Sequence, residues 1–412
     1  MTPVRMPPET IPCGQTDAPA KGQGTRWPAL ALGFRPFYLA ASAFAALAVP
    51  LWIGQYFGYL AVDGYLQGAA WHAHEMIFGF AAAVVTGFLF TAARQWTGMA
   101  TPTGGLLGVF VLLWAVGRVL AVTGPAVPAA VVDGLFLPAV AAAIVVPILR
   151  SRNYRNLFVV AVIGVLAVAN ILFHLNAWGR VGAALDRYAV VLSFDVLTVL
   201  MAVVGGRVIP LFIGNAVGGS RPRRVPLVEV GALGSLILIF ALDAVAPWAP
   251  VGSAWLAVIA AIAAAFHAVR LWLWDPLAAR RQPLLWMLPV AYAWIPIALA
   301  LRAAAAASDA VPVVLSEHAL GIGAMSGLML AMMSRSALGH TGRALRAGWI
   351  ETTAFLLVQL SALLRMGSTF IWPELVEAWL SLSALCWSAA FLVFFVGYWP
   401  ILTRPRVDGR AG

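Results

Sequence analysis

AWHAHEMIFGFAAAVVTGFLFTAA, residues 70–93, is apolar along its length except at its start, where His72, His74 and Glu75 stand together. A helix rises about 1.5 Å per residue, so about 20 apolar residues cross the hydrocarbon core of a bilayer. Backbone amides find no partner in lipid, so such a run must be helical. Further runs of similar length lie on either side, over 35–54, 104–123, 129–149, 156–177, 187–213, 226–246, 251–272, 284–305, 314–337, 350–371 and 376–402. The sequence therefore predicts an all-α, polytopic bundle of about twelve transmembrane helices in a lipid bilayer.

Composition agrees. Hydrophobic residues make up 62% of the 412 and charged residues 10%, against roughly a quarter charged in a soluble domain. Mean hydropathy is +0.91. The net charge of +10 is spread in short clusters between apolar runs, which argues for positive-inside topology and against a nucleic-acid partner. With both termini in the cytoplasm, the outer side receives only Arg118, Arg180, Arg187, Arg302 and Arg365, and the other 21 of the 26 basic residues fall inside. Merging or splitting a span would scramble that division, so the span count and the N-in, C-in orientation support one another. Residues 1–27 lack the apolar core of a cleaved signal peptide and read as a loose cytoplasmic tail. A single transmembrane domain is expected over 28–403 and a short basic tail over 404–412. The connections are short and leave no room for a soluble catalytic domain. Cys13 and Cys386 form neither a CxxC pair nor a disulfide framework and read as free thiols.

Four of the six histidines fall at the outer level. His72 and His74 open the second span, His174 closes the fifth and His318 opens the tenth, whereas His267 and His340 lie toward the cytoplasm. Neutral imidazole ligates iron and copper, so four of them at one level are a candidate metal or haem centre. Glu75, Arg118, Asp133, Asn170, Asp195, Arg302, Glu317 and Arg365 share that level. An idle ionisable group at depth costs about 2.5–3.5 kcal/mol on insertion scales, which makes each a candidate functional residue unless pairing or snorkelling lowers the cost.

His72 and His74 are two residues apart, roughly 200° around a helix, so they serve different partners. Glu75 is placed to orient a ligating imidazole. Asn170 and His174 are four apart and share a face, where Asn170 either fixes the tautomer of His174 or simply satisfies it. After His318, the glycines at 321, 323 and 327 permit close approach of a helix or a flat ligand. Met325, Met329 and Met332 continue below as packing residues or thioether ligands. Arg118, Arg302 and Arg365 are candidates to hold haem propionates or lipid headgroups.

The second, sixth and tenth spans each run inward with acids or histidines in the outer half. Each ends in small residues with an arginine: TAARQWTG, VVGGRVIPLF and AMMSRSALGH. Their spacing suggests three four-helix units around a pseudo-threefold axis. The layout resembles subunit I of the haem-copper oxidases and nitric oxide reductases, although without their motifs and with too few outer histidines for their full ligand set.

WHAHEMIFGFAAAVVTGFLF (Trp71 to Phe90) resembles the NnrS family of bacterial inner-membrane proteins. GFRPFYLAA (Gly33 to Ala41), GGRVIPLF (Gly205 to Phe212) and HALGIGAMSGLMLAMMSRSALGHTGR (His318 to Arg343) follow the same family's pattern in order, so the resemblance covers nearly the whole chain. It implies twelve spans, bound haem and copper, and a part in the response to nitric oxide or a related small nitrogen oxide during denitrification or nitrosative stress. Sensing, scavenging and detoxification all fit that description. The resemblance maps the haem and copper ligands onto His72, His74, His174 and His318, with His340 a lesser candidate because it is on the other side. Spacing leaves open which imidazole takes haem and which copper. Two further readings stay open. One is a nitric oxide reductase-like oxidoreductase fed by a redox donor, with Glu75 or Glu317 relaying protons. The other is a transporter of a small solute or metal, although the halves show no inverted repeat.

Overall fold

Twelve helices long and apolar enough to cross a membrane run through the computed structural model, which describes residues 27–61, 64–179, 185–371 and 373–410. They are α1 (Phe34–Tyr56), α2 (Gly68–Thr97), α3 (Gly104–Thr123), α4 (Ala126–Arg150), α5 (Tyr154–Ala177), α6 (Leu185–Ala216), α7 (Pro226–Val245), α8 (Ser253–Leu273), α9 (Pro283–Ala307), α10 (Val313–His340), α11 (Trp349–Phe370) and α12 (Val376–Thr403). No strand occurs among the described residues. The helix limits agree with the sequence reading to within a few residues, because glycine and proline mark several ends. Gly98 takes φ +67° just after α2. Pro226 and Pro283 open α7 and α9 in the first turn, where a missing N–H costs nothing. The proposed tail up to Arg26, with Cys13, and also Arg180 lie outside the described residues.

The most apolar stretch of α2 is 89% buried, and those of α6, α9 and α10 are more than half buried, whereas α7 and α8 reach only 22%. α2, α6, α9 and α10 therefore make the centre. The outer helices present exposed Leu and Val, such as Leu112, Val119, Leu227 and Val230, as a lipid-facing surface requires. α1 packs against both α2 and α12, and α12 pairs closely with α11.

Two departures from α geometry shape the interior. Glu75–Ala81 in α2 and Ala319–Ser326 in α10 are π-helical, and each begins at the residue after a histidine. A π turn carries an extra residue, widens the helix and re-aims the side chains around it. Side chains bond carbonyls within both segments: Trp114 Nε1 donates to Gly79 O at 2.9 Å, and Ser326 Oγ donates to Gly321 O at 2.7 Å. A Cβ on Gly323 would stand 2.3 Å from the Trp294 ring, so only glycine lets α9 approach α10 this closely.

His267 has a structural place. Its Nδ1 meets Tyr292 OH at 2.8 Å and its Nε2 meets Ala232 O at 3.0 Å. Beside it Arg270 donates to Glu229 at 2.6 Å, Ala202 O at 2.8 Å and Tyr292 OH at 2.9 Å, which ties together α6, α7, α8 and α9.

Candidate metal and cofactor sites

Each of α2, α3, α4 and α5 contributes polar side chains to one buried cluster at the end of the bundle that the charge pattern assigns to the outside. His74 and Glu75 are fully buried, and Arg118, Asp133, Asn170 and His174 nearly so. His74 Nδ1 lies 3.0 Å from Glu75 Oε1, and its Nε2 lies 3.0 Å from Asn170 Oδ1 and 3.2 Å from Asp133 Oδ2. Asn170 Nδ2 donates to that same Asp133 oxygen at 2.8 Å, and His174 Nε2 approaches it at 2.9 Å. Arg118 Nη1 donates to the two Glu75 oxygens at 3.1 and 3.0 Å, and its Nη2 pairs with Asp133 Oδ1.

One donor atom each from His74, Asp133 and His174 lies within 4.8 Å of the others. Two imidazoles and a carboxylate at that range form a donor set suited to a divalent or monovalent transition metal. Charge points the same way. Two carboxylates and one guanidinium leave a negative charge in a buried place, where a bound cation, or a proton on an imidazole, offsets it. Tyr65 closes the cluster from the connection before α2, with its ring parallel to that of His174 at 5.8 Å and its hydroxyl donating to His174 O at 3.2 Å.

A cavity of about 740 Å³ lies against a different face of α2. His72 and His318 both line it, with ring centroids 6.3 Å apart and planes within 15°. His318 Nδ1 lies 2.8 Å from Val314 O, a carbonyl that can only accept. That bond puts the proton on Nδ1 and leaves Nε2 with a free lone pair. The Nδ1 of His72 is buried with no hydrogen-bond partner among the described residues, and Trp52 lies parallel to its ring at 5.1 Å. Most of the remaining wall is apolar, including Met76, Phe80, Phe194, Met325 and Trp387.

The four outer histidines thus form two pairs on two sites, rather than one convergent centre. The reason is the half-turn between His72 and His74, which sends them to different neighbours. Glu75 and Asn170 bond to His74, and Glu317 pairs with Arg187 at the cavity wall. Arg118 belongs to the His74 cluster. Arg302 bonds Asp195 at 2.7 Å and also Asp243, so of the three arginines considered for propionates only Arg365 lines the cavity. Met325 lines the cavity too, while Met329 and Met332 face a smaller apolar void of about 80 Å³. Sequence reasoning put Asp133 at this depth without giving it a role, yet it is the residue both imidazoles of the cluster share. Tyr65 and Trp52 went unnoticed, because an aromatic residue near a span end carries no signal of its own.

The family profile described as NnrS protein matches residues 28–406, a range that holds both sites. No curated protein matches the chain.

Proposed function

Because the chain belongs to the NnrS family, we propose that it is a haem- and copper-binding protein of the bacterial inner membrane that serves the response to nitric oxide. Haem sits in the cavity between His72 and His318, and copper is held by His74, Asp133 and His174. The division of four imidazoles between two differently built places carries this reading. The cavity is large, mostly apolar and faced by two parallel imidazoles. The two ring centroids stand 6.3 Å apart, close enough for both imidazoles to serve one bound group. The other site is small, polar and short of one positive charge.

When bound, haem supplies one-electron chemistry and affinity for nitric oxide, and copper supplies a second one-electron centre. The chain's own residues set the terms. Val314 O holds His318 in one tautomer and orientation, Glu75 does the same for His74, and Arg118 pairs with both Asp133 and Glu75. His72 and His318 would together hold the haem from the two histidine-bearing helices that line the cavity. His318 would be held more firmly of the two, since its Nδ1 bonds Val314 O whereas the Nδ1 of His72 has no partner among the described residues.

Purified protein should contain iron and copper, with a Soret band that shifts when nitric oxide is added to the reduced sample. A colourless, metal-free preparation from cells supplied with both metals would remove the proposal. One observation favours an oxidoreductase within the same frame: Glu317 lines the cavity next to His318, where a proton carrier would be needed. Nitrous oxide in the headspace, formed by purified protein with an electron donor beyond what free haem yields, is its test.

A further inference from the structure

Arg365 differs from the other arginines at this depth. Arg118 is paired with Glu75 and Asp133, Arg187 with Glu317, and Arg302 with Asp195 and Asp243. Arg365 has no carboxylate partner among the described residues, and its Nη1 donates only to Ser368 Oγ, at 3.1 Å on its own helix. A guanidinium left without an anion inside a membrane protein is costly, and this one is half buried. It lines the same cavity as His72, His318 and Tyr56.

The cavity itself has two unlike ends. Asp186, Arg187, Glu317 and Arg365 gather where α6 and α10 begin and α11 nears its close. At the other end Phe80 and Trp387 meet edge to face, with ring centroids 5.6 Å apart. Such a chamber suits a flat, largely apolar ligand with anionic groups along one edge. Guanidinium is matched in shape and charge to a carboxylate, which it can hold through two parallel hydrogen bonds.

We propose that Arg365 binds a free carboxylate on the edge of the macrocycle in this cavity and so fixes its orientation, with the carboxylates toward the end that bears Arg187 and Glu317. The inference rests on the haem reading above. It assigns the unpaired cation to the ligand rather than to a lipid phosphate, because Arg365 lies on the chamber wall beside both imidazoles.

The test uses the full chain in detergent, prepared from haem-deficient cells and titrated with ferric protoporphyrin IX and with its dimethyl ester. The ester keeps the ring and the iron and removes both negative charges. The wild type should bind the free acid about tenfold or more tightly than the ester, the value of one charge-assisted bond in a partly desolvated site. Arg365→Gln should bring that ratio down toward unity, and Arg365→Lys should restore part of it. Equal binding of acid and ester by the wild type, or a preference that persists in Arg365→Gln, overturns the assignment while leaving the haem reading intact. Loss of a co-purified anionic phospholipid in Arg365→Gln, with the porphyrin preference unchanged, overturns it in favour of lipid. If the wild type binds neither porphyrin, the haem reading falls and this inference with it.

Discussion

Replacing Asp133 with Asn removes one charge from the His74 cluster while keeping its shape. Asp133 Oδ2 is approached by Asn170 Nδ2 at 2.8 Å, His174 Nε2 at 2.9 Å and His74 Nε2 at 3.2 Å, and its other oxygen pairs with Arg118. Breaking a buried ion pair by removing one partner costs about 3–5 kcal/mol. Arg118 keeps Glu75, so the loss in stability should fall near the lower figure. Glu75→Gln is the matched control, since it also takes one carboxylate from Arg118 and leaves the other. The two variants should therefore lose similar stability, and they should part company over copper. Of the triad, Glu75 touches only His74, at its far nitrogen, and losing such a supporting bond weakens metal binding by about 10–100-fold. Asp133 is a donor in the triad itself, and its loss should exceed that range and leave the purified protein essentially without copper. Copper per polypeptide, measured by elemental mass spectrometry after dialysis against a copper buffer, and thermal unfolding of the same samples decide the matter. Wild-type copper in Asp133→Asn, or equal loss in both variants, would refute the triad and reduce the cluster to an ion-pair network.

The two pairs of histidines should separate cleanly: His72→Ala and His318→Ala lose the Soret band and keep copper, and His74→Ala and His174→Ala do the reverse. Absorption spectra with metal analysis read both, and a variant that loses both metals while remaining folded counts against two sites. Gly323→Val drives a side chain into the Trp294 ring and should destabilise the protein by about 1–3 kcal/mol through overpacking. An unchanged unfolding temperature would contradict the close α9–α10 approach. Arg270→Met should cost less than the about 3–5 kcal/mol of a fully buried pair, because the stranded Glu229 is partly exposed, whereas Arg270→Met with Glu229→Met should recover most of that loss. Thermal unfolding compares the two, and a double variant as unstable as the single one would show that Arg270 acts through Tyr292 and the Ala202 carbonyl instead.

Depth was legible in the sequence, and azimuth was not. Lipid forces apolar runs of set length, so all twelve spans could be marked to within a few residues. The placing of Glu75, Asp133, Asn170 and Asp195 at one level followed from the same marks. The divergence of His72 and His74 was legible as well, because the angular step of a helix is constant. Which faces meet across helices depends on packing, which no single span encodes. Arg118 and Arg302 sit at the depth of the cavity but turn to other partners, and Arg365 at similar depth turns into it. The π turns after His74 and His318 left no residue signature either. Gly323 reads in the sequence only as permitting the close approach of a helix or a flat ligand, and the Trp294 ring against it and the Trp114 bond to Gly79 O come from the structure alone.

Buried charge alone would not single out the His74 cluster, since two further ion-pair groups with a buried member stand among the described residues. Arg270 with Glu229 is neutral, and Arg302 with Asp195 and Asp243 carries an extra acid, as does Arg118 with Glu75 and Asp133. All three bear the cost of burial, and pairing explains the first completely. The Arg302 group has no imidazole to offer. The Arg270 group has His267, but Tyr292 and a backbone carbonyl already take both of its nitrogens. Among the described residues, only around Arg118 do an excess negative charge and two imidazoles share one carboxylate, a combination that fold stability does not require and a bound cation would use. The helix that supplies His74 also turns His72 into the cavity, so α2 serves both places at once. That double duty requires α2 to pack on every side, and it is the most deeply buried span of the twelve.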